Sequence, residues 1–494
     1  MTRTTKNPGD GVVLINPPSE VLTQELHFIR PLLNSLPQLG IASLAATLQR
    51  GGIPVSILDA QALGLSIQQT VSWASAKRPR VVGLTGYTSS VDAASQIAHT
   101  LKEQDPDIQT ILGGPHVTAV WERTLERFPA IDYGLLGEGE SVAIRLFETL
   151  LSGNTPRDVP GVVYRDGSRI VANDRPPLID DLDALPPPAV EMYDGFPAAY
   201  RPPILHSPKG SAVTLVSSRG CPYRCTFCDR GVFGERYRFH GIDYIIEQIH
   251  RFKTDYDISH IIFYDDNFTI DRGHLEALLT AIIDLPFDIT FNCDARVDLV
   301  DRELLGLMKR AGAWMINYGI ESGDQDILDD LSKKISLDRA RRAVRLTFDA
   351  GIMVKGLFMI GVPGETEQSL AATRRLVEEL PFDFVNFSKY TPYPGCEDYK
   401  TIKKHGEFEE TWELMNAVNL VFVPNTITRD TLEKASSEIM AVFYKNPRRW
   451  KAYTNIIKKN PRDRVNLLKL LPGYIKYKAM RRLFRGSSDN PFDF

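Results

Sequence analysis

The segment SSRGCPYRCTFCDRG, residues 217–231, holds three of the five cysteines in a chain of 494 residues. Cys221, Cys225 and Cys228 are separated by three and then by two residues. An odd number of cysteines in a chain of this length argues against a disulfide framework. A structural zinc site needs a fourth ligand at short spacing, and the nearest later candidate, His240, has no partner nearby in the sequence. The spacing suits a cubane iron–sulfur cluster with one iron left open; chance clustering or an incomplete zinc site is the alternative.

This spacing, with Phe227 directly before the third cysteine, resembles the radical S-adenosylmethionine (SAM) superfamily. The resemblance implies that Cys221, Cys225 and Cys228 bind a 4Fe–4S cluster and that Phe227 lies close to the adenine of SAM. In that family the open iron chelates SAM, and one electron cleaves it to a 5′-deoxyadenosyl radical. We therefore expect an electron donor such as a flavodoxin or a ferredoxin as a partner.

The residues around the cysteines alternate short β-branched segments with amphipathic helical ones. Six strands and five intervening helices predict a parallel α/β unit, which is too short for an eight-fold barrel. The radical SAM family uses a (β/α)6 partial barrel, with the cysteines after its first strand. We predict this barrel over residues 211–400, with strands at 212–218, 260–266, 288–294, 314–322, 353–361 and 383–392.

Polar residues and glycines stand where the predicted barrel strands end, which is the edge that carries the chemistry of such sheets. The resemblance implies that SAM binds by its amino group at the second strand, by its ribose at the fourth and by its adenine at the fifth. The residues at these positions are Asp265, Asp266, Glu321, Ser322 and Gly361. Arg296 follows the third strand, and its role has two interpretations. It is either a partner of the SAM carboxylate or a member of a scaffold ion pair.

The first 155 residues repeat the alternation with five apolar strand segments, each followed by a helix. This pattern predicts a doubly wound, Rossmann-like sheet whose ligand crevice lies over the carboxyl ends of its strands. The motifs GxGxxG and GxxxxGK[ST] are both absent from this part of the sequence, which disfavours a dinucleotide or a nucleoside triphosphate. The strand segments are GVVLINPP (11–18), PVSILDA (54–60), VVGLTGYTSS (81–90), QTILGGPH (109–116) and DYGLLGEGE (132–140).

The markers LINPP, LGIASLAATLQRGG, LGGPH and GLLGEGE, in this order, resemble the cobalamin-binding domain that precedes the barrel in one radical SAM subfamily. The resemblance implies cobalamin contacts from Thr88, Ser89, Gly113, Gly114, Gly137 and Glu138. The DxHxxG motif of many cobalamin domains is missing, and DAQALG (59–64) has Gln61 where the histidine would be. Either cobalamin binds without a histidine from this motif, or the domain has lost the cofactor. His116 is the other candidate cobalt ligand, and a hydrogen-bonded loop histidine is the expected alternative.

Residues 156–210 are rich in proline and acidic residues and predict a linker with one hairpin near YRDGSRIV (164–171). Residues 401–494 predict a helical C-terminal tail. Within it, residues 441–485 contain 14 Lys and Arg against one acidic residue, although the whole chain has a net charge of −4. A basic amphipathic segment can contact an anionic membrane surface, or it can pack on the barrel with its charges in water. We expect no nucleic-acid partner, because no binding motif accompanies the charge.

The sequence thus predicts a cytoplasmic enzyme, with peripheral membrane contact left open, that uses a 4Fe–4S cluster, SAM and cobalamin. The resemblance implies that the radical abstracts hydrogen from an unactivated carbon of a small-molecule or lipid-like substrate, to which cobalamin then delivers a methyl group. A cyclisation, ring contraction or other rearrangement is the alternative reaction, and a non-enzymatic cobalamin or iron–sulfur sensor is the alternative class. The sequence names no catalytic side chain beyond these cofactor contacts.

Overall fold

The computed structural model describes residues 11–18, 35–203, 205–208, 211–445, 450, 453–454 and 457–458. Its first half is an α/β unit. The strands are β1 (Val12–Asn16), β2 (Val55–Asp59), β3 (Val81–Thr85), β4 (Gln109–Gly113), β5 (Tyr133–Leu135), β6 (Val162–Asp166) and β7 (Arg169–Ala172). The helices are α1 (Leu39–Arg50), α2 (Ala60–Leu63), α3 (Ile67–Ala76), α4 (Val91–Gln104), α5 (Pro115–Arg127) and α6 (Ala143–Leu151).

The first sheet has seven strands in the order β2-β1-β3-β4-β5-β6-β7. The first five strands are parallel, as their apolar, β-branched segments predict for strands buried on both faces. The predicted hairpin exists as β6 and β7, which pair antiparallel and extend this sheet at one edge. The sheet therefore continues into the segment that the sequence assigns to the linker, because Val162 and Val163 are buried against its core.

Helices cover both faces of the first sheet, as expected for a doubly wound fold. One face packs against α1 and α6, whose buried residues include Ala45, Leu48 and Leu146. The other face packs against α3, α4 and α5, with Val71 and Ile97 in its core. The strand ends and the loops that follow them are left as the crevice between these two layers.

The second half contains the predicted barrel strands. Its strands are β8 (Val213–Leu215), β9 (Ser218–Arg219), β10 (Arg238–Phe239), β11 (His260–Phe263), β12 (Thr290–Ala295), β13 (Ala313–Glu321), β14 (Met353–Ile360) and β15 (Phe384–Lys389). Its helices are α7 (Ile242–Tyr256), α8 (Arg272–Ile283), α9 (Arg302–Arg310), α10 (Gln325–Asp330), α11 (Leu337–Asp349) and α12 (Glu367–Glu379).

Six of these strands form one parallel sheet in the order β15-β14-β13-β12-β11-β8. Each overlaps one of the six segments predicted from the sequence, and β12 and β13 each extend one residue beyond their segment. Along β14 the side chains alternate between buried and half-buried, as in Val354 and Lys355, because successive residues of a strand point to opposite faces. The buried set packs against the surrounding helices, and the half-buried set faces the inside of the partial barrel. The short strands β9 and β10 pair antiparallel outside this sheet.

The C-terminal region differs from the helical tail that the sequence predicts from residue 401. It begins with short 3-10 turns and an antiparallel pair, β16 (Gly406–Phe408) and β17 (Phe422–Pro424), before α13 (Arg429–Lys445). The apolar segment LVFVP explains the strand, since β-branched and aromatic residues favour extended structure. Most of the basic segment lies outside the described residues. Among the helices that the structure describes, none is long and apolar enough to cross a membrane.

Candidate functional site

Three cysteines lie on the segment between β9 and β10, which we call the cysteine loop. Cys225 is buried, Cys221 is half-buried and Cys228 is exposed. Gly220 opens the loop with a φ of +86°, and a Cβ there would lie 2.3 Å from the carbonyl oxygen of Arg236. Only glycine fits this turn. The chain therefore leaves β9 in a direction that presents the first cysteine directly after the strand.

The cysteine loop supplies the donor chemistry that an iron–sulfur cluster requires. All three side chains are free thiols, and burial raises the pKa of the Cys221 thiol. Iron would replace the protons of these thiols on binding. Among the described residues, no three Cys, His, Asp or Glu side chains are preassembled as a metal site. Three soft sulfur donors on one loop nevertheless fit a cluster by their chemistry, and the ligand roles of the cysteines stay a prediction.

Two aspartates at the end of β11 have different surroundings. The buried carboxylate of Asp265 accepts hydrogen bonds from the backbone N–H of Ser217 at 2.7 Å, from the hydroxyl of Ser218 at 2.6 Å and from the hydroxyl of Ser217. Burial raises its pKa to about 6. Asp266 is exposed and accepts a 3.1 Å hydrogen bond from the backbone N–H of Gly220. Of these two predicted SAM contacts, the geometry favours Asp266, because Asp265 is engaged in holding β9.

Arg296 is part of a scaffold ion pair, which resolves the two interpretations that the sequence left open. Its Nε and Nη2 donate to the two carboxylate oxygens of Asp298 at 3.0 and 3.1 Å, and Nη2 also donates to the carbonyl oxygen of Lys333 at 3.0 Å. Its guanidinium lies 3.6 Å from the centre of the Tyr223 ring on the cysteine loop. Arg296 thus supports the loop from the barrel side.

Glu321 is paired with a lysine that sequence reasoning missed. Nζ of Lys333 donates to Oε1 of Glu321 at 2.8 Å, with both side chains about one-tenth exposed. The same ammonium group lies 5.6 Å from the centre of the Phe227 ring. Glu321 has a φ of +73° and follows a register shift between β13 and β14. The two predicted SAM contacts, Phe227 and Glu321, are therefore brought together around one buried ammonium group.

The remaining predicted SAM contacts, Ser322 and Gly361, are held by internal hydrogen bonds. The hydroxyl of buried Ser322 accepts from the backbone N–H of Asp324 at 3.2 Å. Gly361 has a φ of +84°, and its N–H donates to the side chain of Glu365. Burial raises the pKa of Glu365 to about 8, so this side chain is a neutral acid at pH 7. A Cβ at Gly361 would lie 3.5 Å from the Leu420 side chain and 3.6 Å from the carbonyl oxygen of Phe422, so Gly361 packs against the C-terminal region and its adenine contact stays a prediction.

A cavity of about 230 Å³ lies between the two sheets. Its walls come from strand ends of the first sheet and from β8 and α7 of the second. A Cβ at Gly113 or Gly137 would meet no atom within 4 Å, so the backbone borders open space there. Thr88 and Ser89 lie outside the lining. Four of the six predicted cobalamin contacts line the cavity: Gly113, Gly114, Gly137 and Glu138. Open glycine backbone at these strand ends fits a large cofactor.

His116 is a core histidine and does not line this cavity. It is 1% exposed, its Nδ1 lies 3.2 Å from the hydroxyl of Thr88, and its ring centre lies 4.4 Å from that of Trp412. Burial, with the nearby charges of Arg123 and Arg127, lowers its pKa to about 3. Because its ring is buried away from the cavity and contacts Thr88 and Trp412, the structure supports the hydrogen-bonded alternative over a cobalt ligand.

An arginine on β9 joins the two halves of the molecule, and no sequence motif indicated it. Nη1 of Arg219 donates to Glu138 at 3.0 Å, and Nη2 donates to Glu140 at 2.8 Å. Arg238, its partner on β10, donates to the other carboxylate oxygen of Glu138 at 2.8 Å. Burial alone would raise the pKa of Glu140, but Arg219 holds it below its ordinary value. We call Arg219 and the two glutamates the arginine bridge.

The inside of the barrel contains a polar layer at one level of the sheet. Asp294, Asn317 and Lys355 are register partners on β12, β13 and β14. The amide of Asn317 donates to Asp294 at 2.6 Å, and Nζ of Lys355 lies 3.1 Å from Nε2 of His206. Among the described residues, Oδ1 of Asn317 has no hydrogen-bond partner. This layer can therefore accept a hydrogen bond from a polar group inside the barrel.

Two family models match the chain. The model described as the radical SAM superfamily matches residues 215–377, and the B12 binding domain model matches residues 29–147. The first range includes the cysteine loop and the strands β11 to β14. The second includes the strand ends that border the cavity.

Three curated relatives match most of the chain. An uncharacterized methyltransferase of Pyrococcus horikoshii is 28% identical over 88% of this chain and 93% of its own length. An anaerobic magnesium-protoporphyrin IX monomethyl ester cyclase of Rubrivivax gelatinosus is 28% identical, with coverages of 82% and 74%. A cytidylyl-2-hydroxyethylphosphonate methyltransferase of Streptomyces wedmorensis is 27% identical, with coverages of 90% and 91%. Each of these similarities therefore spans both halves of the molecule.

The fold also matches a solved structure. The radical SAM methyltransferase TsrM of Kitasatospora setae, solved with cobalamin and a [4Fe-4S] cluster bound, has a TM-score of 0.66 and 18% sequence identity. The match covers 86% of this chain and 80% of that one. At this identity the likeness is one of fold, and it includes both the N-terminal sheet and the partial barrel.

Proposed function

Because the chain belongs to the radical SAM superfamily and carries a B12 binding domain, we propose that it methylates an unactivated carbon of a polar small molecule. The enzyme uses SAM, a 4Fe–4S cluster and cobalamin. When bound, the cluster supplies the electron that cleaves SAM to a 5′-deoxyadenosyl radical, and cobalamin carries the methyl group.

One observation carries the proposal: the loop with the predicted cluster ligands is joined to the strand ends with the predicted cobalamin contacts. Arg219 stands two residues before Cys221 and hydrogen-bonds to Glu138, next to Gly137. C-methylation needs SAM to be used at the cluster and at cobalamin, so the two cofactors must lie near each other. Two domains that used their cofactors independently would not require this buried contact.

Side chains of this chain then have distinct tasks. Cys221, Cys225 and Cys228 would hold the cluster, and the exposed carboxylate of Asp266 would bind the SAM amino group beside them. Glycine backbone at the cavity would let cobalamin approach the strand ends. Arg296 would orient the cysteine loop through the Tyr223 ring.

The substrate is expected inside the barrel, where the polar layer lies. Asp294 accepts from Asn317, while Oδ1 of Asn317 is a buried acceptor without a partner among the described residues. A buried acceptor left unpaired is costly, so a substrate hydroxyl or amine that donates to it is favoured. A wholly hydrocarbon substrate would leave this acceptor unpaired. The polar layer therefore favours a small molecule over a lipid.

A second candidate reaction is a radical cyclisation or rearrangement without methyl transfer. It is supported by the similarity to the Rubrivivax gelatinosus cyclase, which also spans both halves of this chain. The two candidates share the radical step and differ in the second use of SAM.

Product analysis separates them. Anaerobically reconstituted protein is incubated with SAM, cobalamin and a reductant, and the products are read by mass spectrometry. Methylation yields both 5′-deoxyadenosine and S-adenosylhomocysteine, whereas the rearrangement yields 5′-deoxyadenosine alone. The variant with Cys221, Cys225 and Cys228 all changed to Ala is the control, and 5′-deoxyadenosine formed by this variant would contradict the radical assignment.

A further inference from the structure

The arginine bridge is a buried pair of Arg–Glu contacts between the cavity and the cysteine loop. The Glu138 side chain is 1% exposed and those of Arg219 and Glu140 about one-tenth exposed. Glu138 also accepts from the backbone N–H of Ile179 at 2.9 Å, and Glu140 accepts from the hydroxyl of Ser43 at 2.9 Å. Removing one partner of a buried ion pair leaves an uncompensated charge. The bridge therefore fixes one relative position of the first sheet and β9.

On the barrel side, β9 and its neighbours are also held by hydrogen bonds. Asp265 accepts hydrogen bonds from Ser217 and Ser218, and Asp266 accepts one from Gly220. Arg219 stands between these anchored residues, and the first cysteine follows Gly220. A displacement of Arg219 is therefore transmitted to the cysteine loop over two residues of restrained backbone.

Arg219 also borders the cavity, although its side chain is mostly buried. It lines the cavity together with Glu138 and Glu140. Its guanidinium carbon lies 5.2 Å from the centre of the Phe233 ring, another lining residue. Among the described residues, the buried Nε of Arg219 has no hydrogen-bond partner. An occupant that presents an acceptor, such as the amide groups on the edge of a corrinoid, would satisfy this donor.

We propose that Arg219 is a positioning residue that couples occupancy of the cavity by a corrinoid to the geometry of the cysteine loop. The bridge holds the loop so that SAM can react at the cluster and, in a separate event that consumes a second SAM molecule, at the corrinoid. This inference rests on the proposed function, since only methylation makes SAM react at both places. Loss of the bridge leaves SAM cleavage at the cluster intact and weakens methyl transfer to the corrinoid.

The test compares Arg219→Met and Arg219→Lys with Arg123→Gln. Arg123 also joins the first half to the C-terminal region, through Glu410 at 2.7 Å and Tyr399 at 2.6 Å, but it does not contact the cysteine loop. Proteins loaded with cluster and hydroxocobalamin are incubated anaerobically with SAM and titanium(III) citrate, without substrate. We expect the ratio of S-adenosylhomocysteine to 5′-deoxyadenosine to fall at least tenfold in Arg219→Met and less in Arg219→Lys, which keeps the charge but not the fork geometry. Arg123→Gln should keep the wild-type ratio.

A second readout does not depend on turnover. Hydrogen exchange of residues 217–228 is followed in cluster-loaded protein with and without hydroxocobalamin. We expect cobalamin to slow exchange in this segment severalfold in the wild type and in Arg123→Gln, and to leave it unchanged in Arg219→Met. Where Arg219→Met does not load its cofactors, the isosteric Glu140→Gln is used, and a weaker effect in the same direction is expected.

The outcomes are distinguishable. Wild-type protein that forms no S-adenosylhomocysteine contradicts the proposed methylation, and the bridge is then judged by hydrogen exchange alone. A wild type that forms both products, together with an Arg219→Met ratio and exchange response equal to the wild type, overturns the coupling. An equal loss in Arg123→Gln also overturns it, because general loosening between the halves would then explain the effect.

Discussion

The guanidinium of Arg296 stacks on the ring of Tyr223 at 3.6 Å from its centre. Arg296 is itself fixed by two hydrogen bonds to Asp298. The Tyr223 ring therefore packs against a guanidinium group whose position is restrained. A desolvated cation–π contact contributes about 2 kcal/mol. The contact therefore stabilises the part of the cysteine loop that lies between its first two cysteines.

We expect Tyr223→Leu to increase the rate at which the protein loses iron from the cluster. Loss of a contact of this size corresponds to a change in rate of at least about tenfold, and iron release to a chelator should accelerate accordingly. Tyr223→Phe keeps the ring and should release iron at the wild-type rate. The measurement is the anaerobic time course of iron transfer to a coloured chelator. Equal rates for Tyr223→Leu and the wild type would show that the stacking does not restrain the loop.

Substitutions of the two aspartates after β11 should have different effects. The substitution of Asp265 should lower the stability of the fold, and that of Asp266 should weaken SAM binding. Asp265→Asn puts an amide where three donors converge on a buried carboxylate, and hydrogen bonds to charged groups contribute about 1.5–3 kcal/mol. We expect the melting temperature to fall by several degrees. Asp266→Asn should leave the melting temperature unchanged and raise the KM for SAM about tenfold, the effect expected when one hydrogen bond to a charged group is removed. Calorimetry and SAM titration of 5′-deoxyadenosine formation check this. The reverse pattern would assign SAM binding to Asp265.

Glu365 should make stability depend on pH. Its pKa is raised from 4.5 to about 8 by burial, so the folded protein holds a proton that the unfolded chain has released. The stabilisation is complete below pH 4.5 and is lost progressively as the pH rises to about 8. Glu365→Gln mimics the neutral acid and lacks this slope.

The measurement for Glu365 is the melting temperature of both proteins between pH 5 and pH 9. We expect the melting temperature of Glu365→Gln, relative to that of the wild type, to rise by several degrees between pH 5 and pH 8. Above pH 8 the difference between the two melting temperatures should become constant. A constant difference at every pH would mean that Glu365 is ionised in the folded protein throughout.

The basic C-terminal segment lies mostly outside the described residues, and its role stays a proposal. Tyr453 packs on Phe384 at 5.1 Å between ring centres and donates to the carbonyl oxygen of Asp383 at 2.7 Å. A truncation after residue 458 keeps these contacts and removes nine Lys and Arg with three acidic residues.

If that segment contacts membranes, full-length protein should bind phosphatidylglycerol vesicles at low salt and dissociate at high salt, because such attraction is screened. The truncated protein should not bind and should still cleave SAM. Co-sedimentation with vesicles is the measurement, and neutral phosphatidylcholine vesicles are the control. Full-length protein that ignores anionic vesicles at low salt would support the packed tail.

The six barrel strands could be predicted because buried parallel strands have continuous apolar segments bounded by polar ends. The site was predicted only in part. Asp265 and Asp266 both follow the end of β11 at Phe263. Strand alternation does not extend to them, so only the structure shows that Asp265 is buried and Asp266 exposed.

Other parts of the site depend on contacts that local sequence does not encode. Arg219 and Glu138 are 81 residues apart, and each on its own looks like an ordinary polar residue at a strand end. Lys333 lies in the loop between α10 and α11 and pairs with Glu321, which has a positive φ that no local motif indicates. The hairpin β6–β7 was predicted, but its addition to the first sheet depends on pairing with β5, which no local pattern specifies.

Trp412, Met415 and Val421 complete the hydrophobic core on the outer face of the first sheet, against residues such as Leu125 and Phe128. During synthesis the ribosome makes the whole barrel before these three side chains emerge. The N-terminal half therefore keeps part of its core open to water until about 260 residues beyond residue 155 have been added. Expressed alone as residues 1–155, it would expose this apolar patch, and a recombinant cobalamin-binding fragment should include a segment that covers it.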